Sequence, residues 1–170
     1  ESDKLSERQQ IIKSRCEESN LPIFYLNLVG GQDDLVFDGG SFVYDNRGTI
    51  VCQFPQFLEK TEQVIFEQRQ NGWVPLPELI EDIGSRESQD YKAVVLGLRD
   101  YVLKSNFHKV VIGLSGGIDS ALVAVMAVAA LGADYVVGLA WPSKFNSSAS
   151  LDDAKQLSEN LGITLETIGI

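Results

Sequence analysis

The segment Gly113-Leu114-Ser115-Gly116-Gly117-Ile118-Asp119-Ser120 decides the reading of this chain. Ahead of it runs Lys109-Val110-Val111-Ile112, short, β-branched and almost wholly apolar, as a strand buried in a parallel sheet reads. Behind it an Ala-rich stretch from Asp119 to Leu131, closed by Gly132, predicts a helix. A glycine-rich loop between a buried strand and a helix is where backbone N–H groups and the helix dipole converge on an anion. Gly116 and Gly117 permit close backbone approach and positive φ, the ingredients of an anion nest. Ser115 and Ser120 add hydroxyl donors for phosphate oxygens. Asp119 sets a carboxylate beside those phosphates and calls for a cation between them, for which Mg²⁺ has the matching preference for oxygen. Two better-known phosphate motifs fail on spacing. A Walker A loop requires a Lys that is absent here, and a dinucleotide loop requires glycine where Ser115 and Ile118 stand.

Working outward, Tyr135 to Trp141 reads as a second buried strand and Pro142 to Ala149 as a Ser-rich loop. Ser150-Leu151-Asp152-Asp153 resembles a capping box that starts a helix ending at Leu161-Gly162, and Ile163 to Ile170 reads as a third strand. Upstream, Tyr91, Val94, Val95, Leu98, Tyr101 and Val102 recur at helical spacing over 90–105. Strand–helix–strand–helix–strand is the first βαβαβ of a doubly wound parallel sheet, so the fold class is α/β. Ligands sit at the carboxyl edge of such a sheet, and Leu139 to Pro142 falls at that edge beside the loop.

The first part of the chain has a different character. Residues 3–19 form an amphipathic helix ended by Asn20 and Pro22. Short strands follow at Ile23 to Val29, Leu35 to Phe37, Ser41 to Tyr44 and Thr49 to Phe54, and 62–68 alternates like a strand. Residues 71–90, with Gly72, Pro75, Pro77, Gly84 and mixed charges, read as a linker. The expected division is therefore 1–70, a linker 71–90, and 91–170.

Composition narrows the classes. Of 170 residues, 44% are apolar and 22% charged, too apolar and too weakly charged for a disordered polyelectrolyte. The net charge of −10 counts against nucleic-acid backbones but leaves room for a nucleotide held by backbone donors. Cys16 and Cys52 have no CxxC spacing and His108 is the only histidine, so a zinc site or disulfide framework is not expected and a cytoplasmic setting is. The longest apolar run, Ala121 to Leu131, is too short to span a bilayer, so no membrane partner is expected. The chain opens without Met, inside a helical pattern, and its sheet pattern ends on a strand; both features predict a fragment of a longer polypeptide.

Ser115-Gly116-Gly117-Ile118-Asp119-Ser120 resembles the pyrophosphate loop of the N-type ATP-pyrophosphatase superfamily, whose fold is adenine nucleotide alpha-hydrolase-like. Ala121-Leu122, Leu131-Gly132-Ala133, Trp141-Pro142-Ser143, Ser147-Ser148, Ser150, Asp153-Ala154 and Leu161-Gly162-Ile163 narrow the similarity to NAD⁺ synthetases. Leu21-Pro22-Ile23, Asn27 and Val29 through Phe42 resemble the C-terminal part of a nitrilase-type, αββα glutaminase domain fused ahead of the synthetase. Together these runs resemble the glutamine-dependent NAD⁺ synthetase family.

That resemblance implies a ligase that amidates deamido-NAD⁺ to NAD⁺ through an adenylate. Its ammonia would come from glutamine, with AMP and pyrophosphate released. It implies that Gly113, Leu114, Ser115, Gly116, Gly117, Ile118, Asp119 and Ser120 hold ATP, that Asp119 binds Mg²⁺, and that Trp141 and Pro142 contact the adenosine. It implies no catalytic residue in this chain, because the Glu, Lys and Cys of the glutaminase fall upstream of Glu1. Deamido-NAD⁺, glutamine, ammonia, the remainder of the polypeptide and a second copy in a homo-oligomer are the implied partners. Cys16 and Cys52 are expected as packing residues, His108 as an exposed edge residue, and Asp33, Asp34 and Asp38 as turn residues or, alternatively, a glutamine pocket. Two other activities stay open: a different N-type amidotransferase, and a carbon–nitrogen amide hydrolase with a non-catalytic nucleotide-binding domain.

Overall fold

The computed structural model describes residues 4–70, 72–142 and 148–169. The chain forms two compact units, Glu1–Gly30 with Asp34–Ala93, and Gly31–Asp33 with Val94–Ile170.

In the first unit helix α1 (Lys4–Ser19) packs on an antiparallel sheet of β1 (Ile23–Tyr25), β4 (Phe42–Tyr44) and β5 (Ile50–Gln53), with β4 in the centre. Strands β2 (Val29–Gln32) and β3 (Leu35–Asp38) pair in a two-stranded sheet, as do β6 (Phe66–Arg69) and β7 (Gly72–Pro75). All three residues of β4 are buried, which is why its sequence is apolar without alternation. Phe42 and Tyr44 pack with Leu5 and Cys16, while Val43 packs with Val51 and Cys52. Tyr25 stacks on Phe42 at 4.9 Å and Tyr44 meets Phe42 edge-on at 5.6 Å, so one ring anchors both neighbours.

The strand expected over Ile23 to Val29 is interrupted. The Asn27 amide donates to Asp38 Oδ1 at 2.8 Å and to the Gly39 carbonyl at 2.9 Å, and its backbone N–H donates to Ser41 Oγ. Those bonds take the chain out of the ladder between β1 and β2. Downstream, Gly72–Pro75 pairs with Phe66–Arg69, and the Glu78 and Glu81 N–H groups donate to the Val51 and Gln53 carbonyls at 2.8 and 3.0 Å. A stretch whose Pro and Gly content reads as loop is thus partly held along the outer edge of β5.

The second unit is built on three parallel strands, β8 (Val110–Gly113), β9 (Val136–Ala140) and β10 (Thr164–Thr167), with β9 central. Val110 pairs with Val136 and Gly113 with Leu139; Thr164 pairs with Val137 and Thr167 with Ala140. Helices α3 (Ile118–Leu131) and α4 (Ser148–Leu161) connect the strands, and α2 (Arg86–Lys104) precedes β8. Ala124 and Ala127 are fully buried, so the alanines let α3 lie close to the sheet, around a core with Leu114, Val136, Ala154 and Ile163. Gly132, at φ +89°, closes α3 by donating its N–H to the Val128 carbonyl.

Several boundaries differ from the sequence reading, among them the third strand of the parallel sheet, which runs Thr164–Thr167 where Ile163 to Ile170 reads as strand. Helix α2 starts at Arg86 rather than 90, and α4 at Ser148, so Ser150 lies inside the first turn instead of capping it. A single 3₁₀ turn, Ala133–Tyr135, takes the place of the start of the second strand. The predicted Ser-rich loop from Pro142 to Ala149 falls largely outside the described residues.

Candidate functional site

Strand β8 ends at Gly113, and the chain turns through Leu114 to Gly117 into α3. Leu114 anchors this turn: its side chain is buried and its N–H donates to the Leu139 carbonyl at 2.8 Å. Gly116 takes φ +79°, as the nest geometry demands, whereas Gly117 is extended at φ −90° and serves as the N-cap of α3. A positive φ was therefore needed at only one of the two glycines.

The hydroxyls knit the turn together. Ser120 Oγ donates to the Gly117 carbonyl at 2.9 Å and accepts from the Ser115 N–H at 3.3 Å. Ser115 Oγ lies 3.1 Å from Ser120 Oγ and accepts from the Gly117 N–H at 3.2 Å. With the Ser120 proton committed to Gly117, the bond between the two hydroxyls runs from Ser115 to Ser120. Ser115, Gly117, Ile118 and Asp119 are exposed at the mouth of the turn, while Ser120 is half-buried. With both hydroxyl protons turned inward, what the exposed loop presents to an anion is a left-handed glycine and the first N–H groups of a 14-residue helix, with one carboxylate nearby.

Trp141 follows the end of β9, and the benzo edge of its indole lies against Gly113. Pro142 is half-buried beside it. The first turn of α4 approaches the loop from the other side, where the backbone of Ser150 touches Gly116. Sequence reading did not assign Ser150 to the site: the close approach is marked by the glycine at 116, but Ser150 enters it through its backbone, which leaves no trace in residue type there. The glycine-rich turn, an aromatic ring and a second helix start thus come together at the carboxyl edge of the sheet.

The other singled-out residues are held as follows. Asp38 Oδ1 accepts both Arg8 Nη1 and Nη2 at 3.0 Å and Asn27 Nδ2 at 2.8 Å, and Oδ2 accepts Gln56 Nε2 at 3.0 Å. Asp33 adopts φ +51° in the turn between β2 and β3. Cys16 and Cys52 are buried, and burial pushes both thiols up, which keeps them neutral and poor nucleophiles. His108 is exposed just ahead of β8. Among the described residues no three His, Cys, Asp or Glu side chains gather as a metal-binding group. Among them, too, no helix is long and apolar enough to cross a membrane.

Residues 90–170 match the family model described as NAD synthase. Over that stretch the chain is similar to the NAD synthase family. The glutamine-dependent NAD(+) synthetase of Rhodobacter capsulatus is 49% identical over 168 residues, covering 98% of this chain and 30% of that protein. The enzyme of the same name from Xylella fastidiosa is 41% identical over 170 residues, covering 100% of this chain and 31% of that protein. Among solved structures, glutamine-dependent NAD+ synthetase from Acinetobacter baumannii in complex with adenosine diphosphate aligns with a TM-score of 0.92 at 36% identity, covering 100% of this chain and 32% of that one. The chain therefore spans about a third of the length of these relatives.

Proposed function

We propose that this chain is part of a ligase that amidates deamido-NAD⁺ to NAD⁺, consuming ATP and taking ammonia from glutamine. The observation that carries the reading is the Gly113–Ser120 turn at the carboxyl edge of a parallel sheet in a stretch matched by the NAD synthase model. Residues 91–170 are then the first part of the synthetase domain, 1–70 the end of a nitrilase-like glutaminase domain, and 71–90 the connection between them. The names of the relatives, which all specify dependence on glutamine, support that assignment.

In this reading the N–H groups of Gly116 and of the first turn of α3 hold the ATP phosphates, joined by the hydroxyls of Ser115 and Ser120 once these give up their bonds to each other and to Gly117. Trp141 and Pro142 border the adenosine. An attack on the α-phosphorus by the nicotinate carboxylate gathers charge on phosphate oxygens, and donors fixed before the reaction stabilise it without reorganising. Positioning supplies most of the rate in such chemistry, so the turn needs no nucleophile of its own. Asp119 suits Mg²⁺, which commonly takes one or two protein carboxylates and completes its shell with phosphate oxygens and water. When bound, that ion neutralises phosphate charge. The working enzyme is read as a cytoplasmic homo-oligomer.

The test uses the complete polypeptide that carries these residues. AMP and pyrophosphate release should require both ATP and deamido-NAD⁺, and Ser115→Ala should reduce it at least tenfold, the scale of one lost transition-state donor. Release with another acceptor but not deamido-NAD⁺ would point to a different amidotransferase. Glutamine hydrolysis untouched by ATP or by Ser115→Ala, with no AMP formed, would leave an amide hydrolase.

A further inference from the structure

Gly113 opens the loop motif, and its place in the motif assigns it to the phosphates. Its surroundings point elsewhere. A Cβ built on Gly113 would stand 2.8 Å from Cζ3 of Trp141, 3.5 Å from Cη2 and 3.8 Å from Cε3. These are the carbons of the benzo ring, and no phosphate-loop atom is among its nearest neighbours. Gly113 is also the last residue of its strand, paired with Leu139, and its φ is not in the left-handed region that only glycine favours. The position therefore demands the absence of a side chain rather than unusual backbone freedom. What occupies the vacant space is the indole.

We infer that Gly113 is a positioning residue for the nucleobase. By lacking a Cβ, it seats the Trp141 ring across the end of β8, leaving an exposed aromatic surface beside the anion-binding turn. Trp141 is 45% exposed as a residue even in this seat, so it is packed on one side without being buried. A Cβ at 2.8 Å cannot be accommodated without moving the ring, because the contact is with the rigid bicycle and not with the end of a flexible chain. The inference rests on the reading of this turn as a nucleotide site, and it divides that site: Gly116 and Gly117 serve the phosphates, while Gly113 serves the base through Trp141.

The test compares a ligand with a base against one without. In the complete polypeptide Kd is measured for ATP and for inorganic pyrophosphate, with the Trp141 emission taken as the part lost on Trp141→Phe. Gly113→Ala should shift the Trp141 emission in the absence of ligand and raise the Kd for ATP by about tenfold, the effect of a modest overpacking strain. The Kd for pyrophosphate should stay within about twofold of its starting value. Adding Trp141→Leu should remove most of the alanine's cost for ATP, because the two residues act through one contact. If Gly113→Ala does not fold, recovery of folding on adding Trp141→Leu supports the pairing, and failure to recover overturns it. Equal losses for ATP and pyrophosphate, or no rescue by Trp141→Leu, also overturn it. If the parent chain binds neither ligand, the nucleotide reading itself falls. An unshifted Trp141 emission in ligand-free Gly113→Ala would by contrast sink the seating alone.

Discussion

Gly116 and Ser150 touch through their backbones: a Cβ on Gly116 would lie 2.5 Å from the Ser150 carbonyl oxygen and 2.8 Å from its Cα. The glycine-rich turn is thus wedged against the first turn of α4, and its left-handed glycine is enforced by that neighbour as well as by φ.

Gly116→Ala should accordingly be the most damaging single change in the turn. A side chain at positive φ costs about 1–2 kcal/mol, and overpacking against unyielding backbone adds about 1–3 kcal/mol. Thermal unfolding of the second unit should move down by several degrees. ATP affinity measured by calorimetry should fall by more than tenfold, and retention of wild-type affinity would contradict the nest geometry.

Ser120→Ala should separate binding from stability. The hydroxyl holds the Gly117 carbonyl and the Ser115 N–H, but Ser115 and Gly117 are exposed and water can replace it. The stability loss should be about 0.5–1 kcal/mol, whereas ATP binding should weaken several-fold. A large melting shift with unchanged ATP binding would make Ser120 purely structural.

Asp119→Asn tests the cation assignment. Without Mg²⁺, ATP affinity should stay the same or rise slightly, since a charge repelling the phosphates is gone. With Mg²⁺, the enhancement seen in the parent protein should largely disappear. A variant that keeps the full Mg²⁺ effect would place the ion on other ligands.

Asp38→Ala should destabilise the first unit by about 2–4 kcal/mol, because it strands a partly buried guanidinium. Arg8 and Asp38 are 22% and 19% exposed at their side chains, and Asn27 and Gln56 lose the same acceptor. Urea titration gives the measurement. A change below about 0.5 kcal/mol would show that the four side chains do not act as one cluster.

The buried thiols set an alkaline limit. Burial raises Cys16 and Cys52 above their unfolded values, so the folded state favours the neutral form. Their contribution to stability is present below the unfolded thiol pKa of about 8.5 and declines as pH rises past it. Replacing both by Ala should flatten that decline, and neither thiol should react with a disulfide reagent until the unit unfolds.

The strand, turn and helix around Gly113 to Ser120 were legible because each rests on local chemistry: β-branched residues, paired glycines, an alanine run. The start of α4 was not, because Ser148 to Asp153 holds several residues suited to a first turn and only packing chooses among them. The Asp38 cluster was hidden for another reason. Its partners at 8, 27 and 56 are distant along the chain, and no spacing rule connects them. Residues 76–81 carried the composition of a loop, yet their backbone groups found acceptors on β5; pairing of that kind depends on what lies alongside, not on side-chain type. The close approach of Gly116 to Ser150 is marked in the sequence only by the glycine; nothing at Ser150 names it as the neighbour.

The pairing of Glu78, Leu79 and Glu81 with β5 has a consequence for how this protein tolerates damage. Gln53 donates its N–H to the Leu79 carbonyl, so these residues cap the sheet on that side. A protease nick or an insertion there would do more than loosen a connector. It would bare the outer rim of β5, whose unpaired amides could then recruit a strand from another molecule, turning local cleavage into self-association.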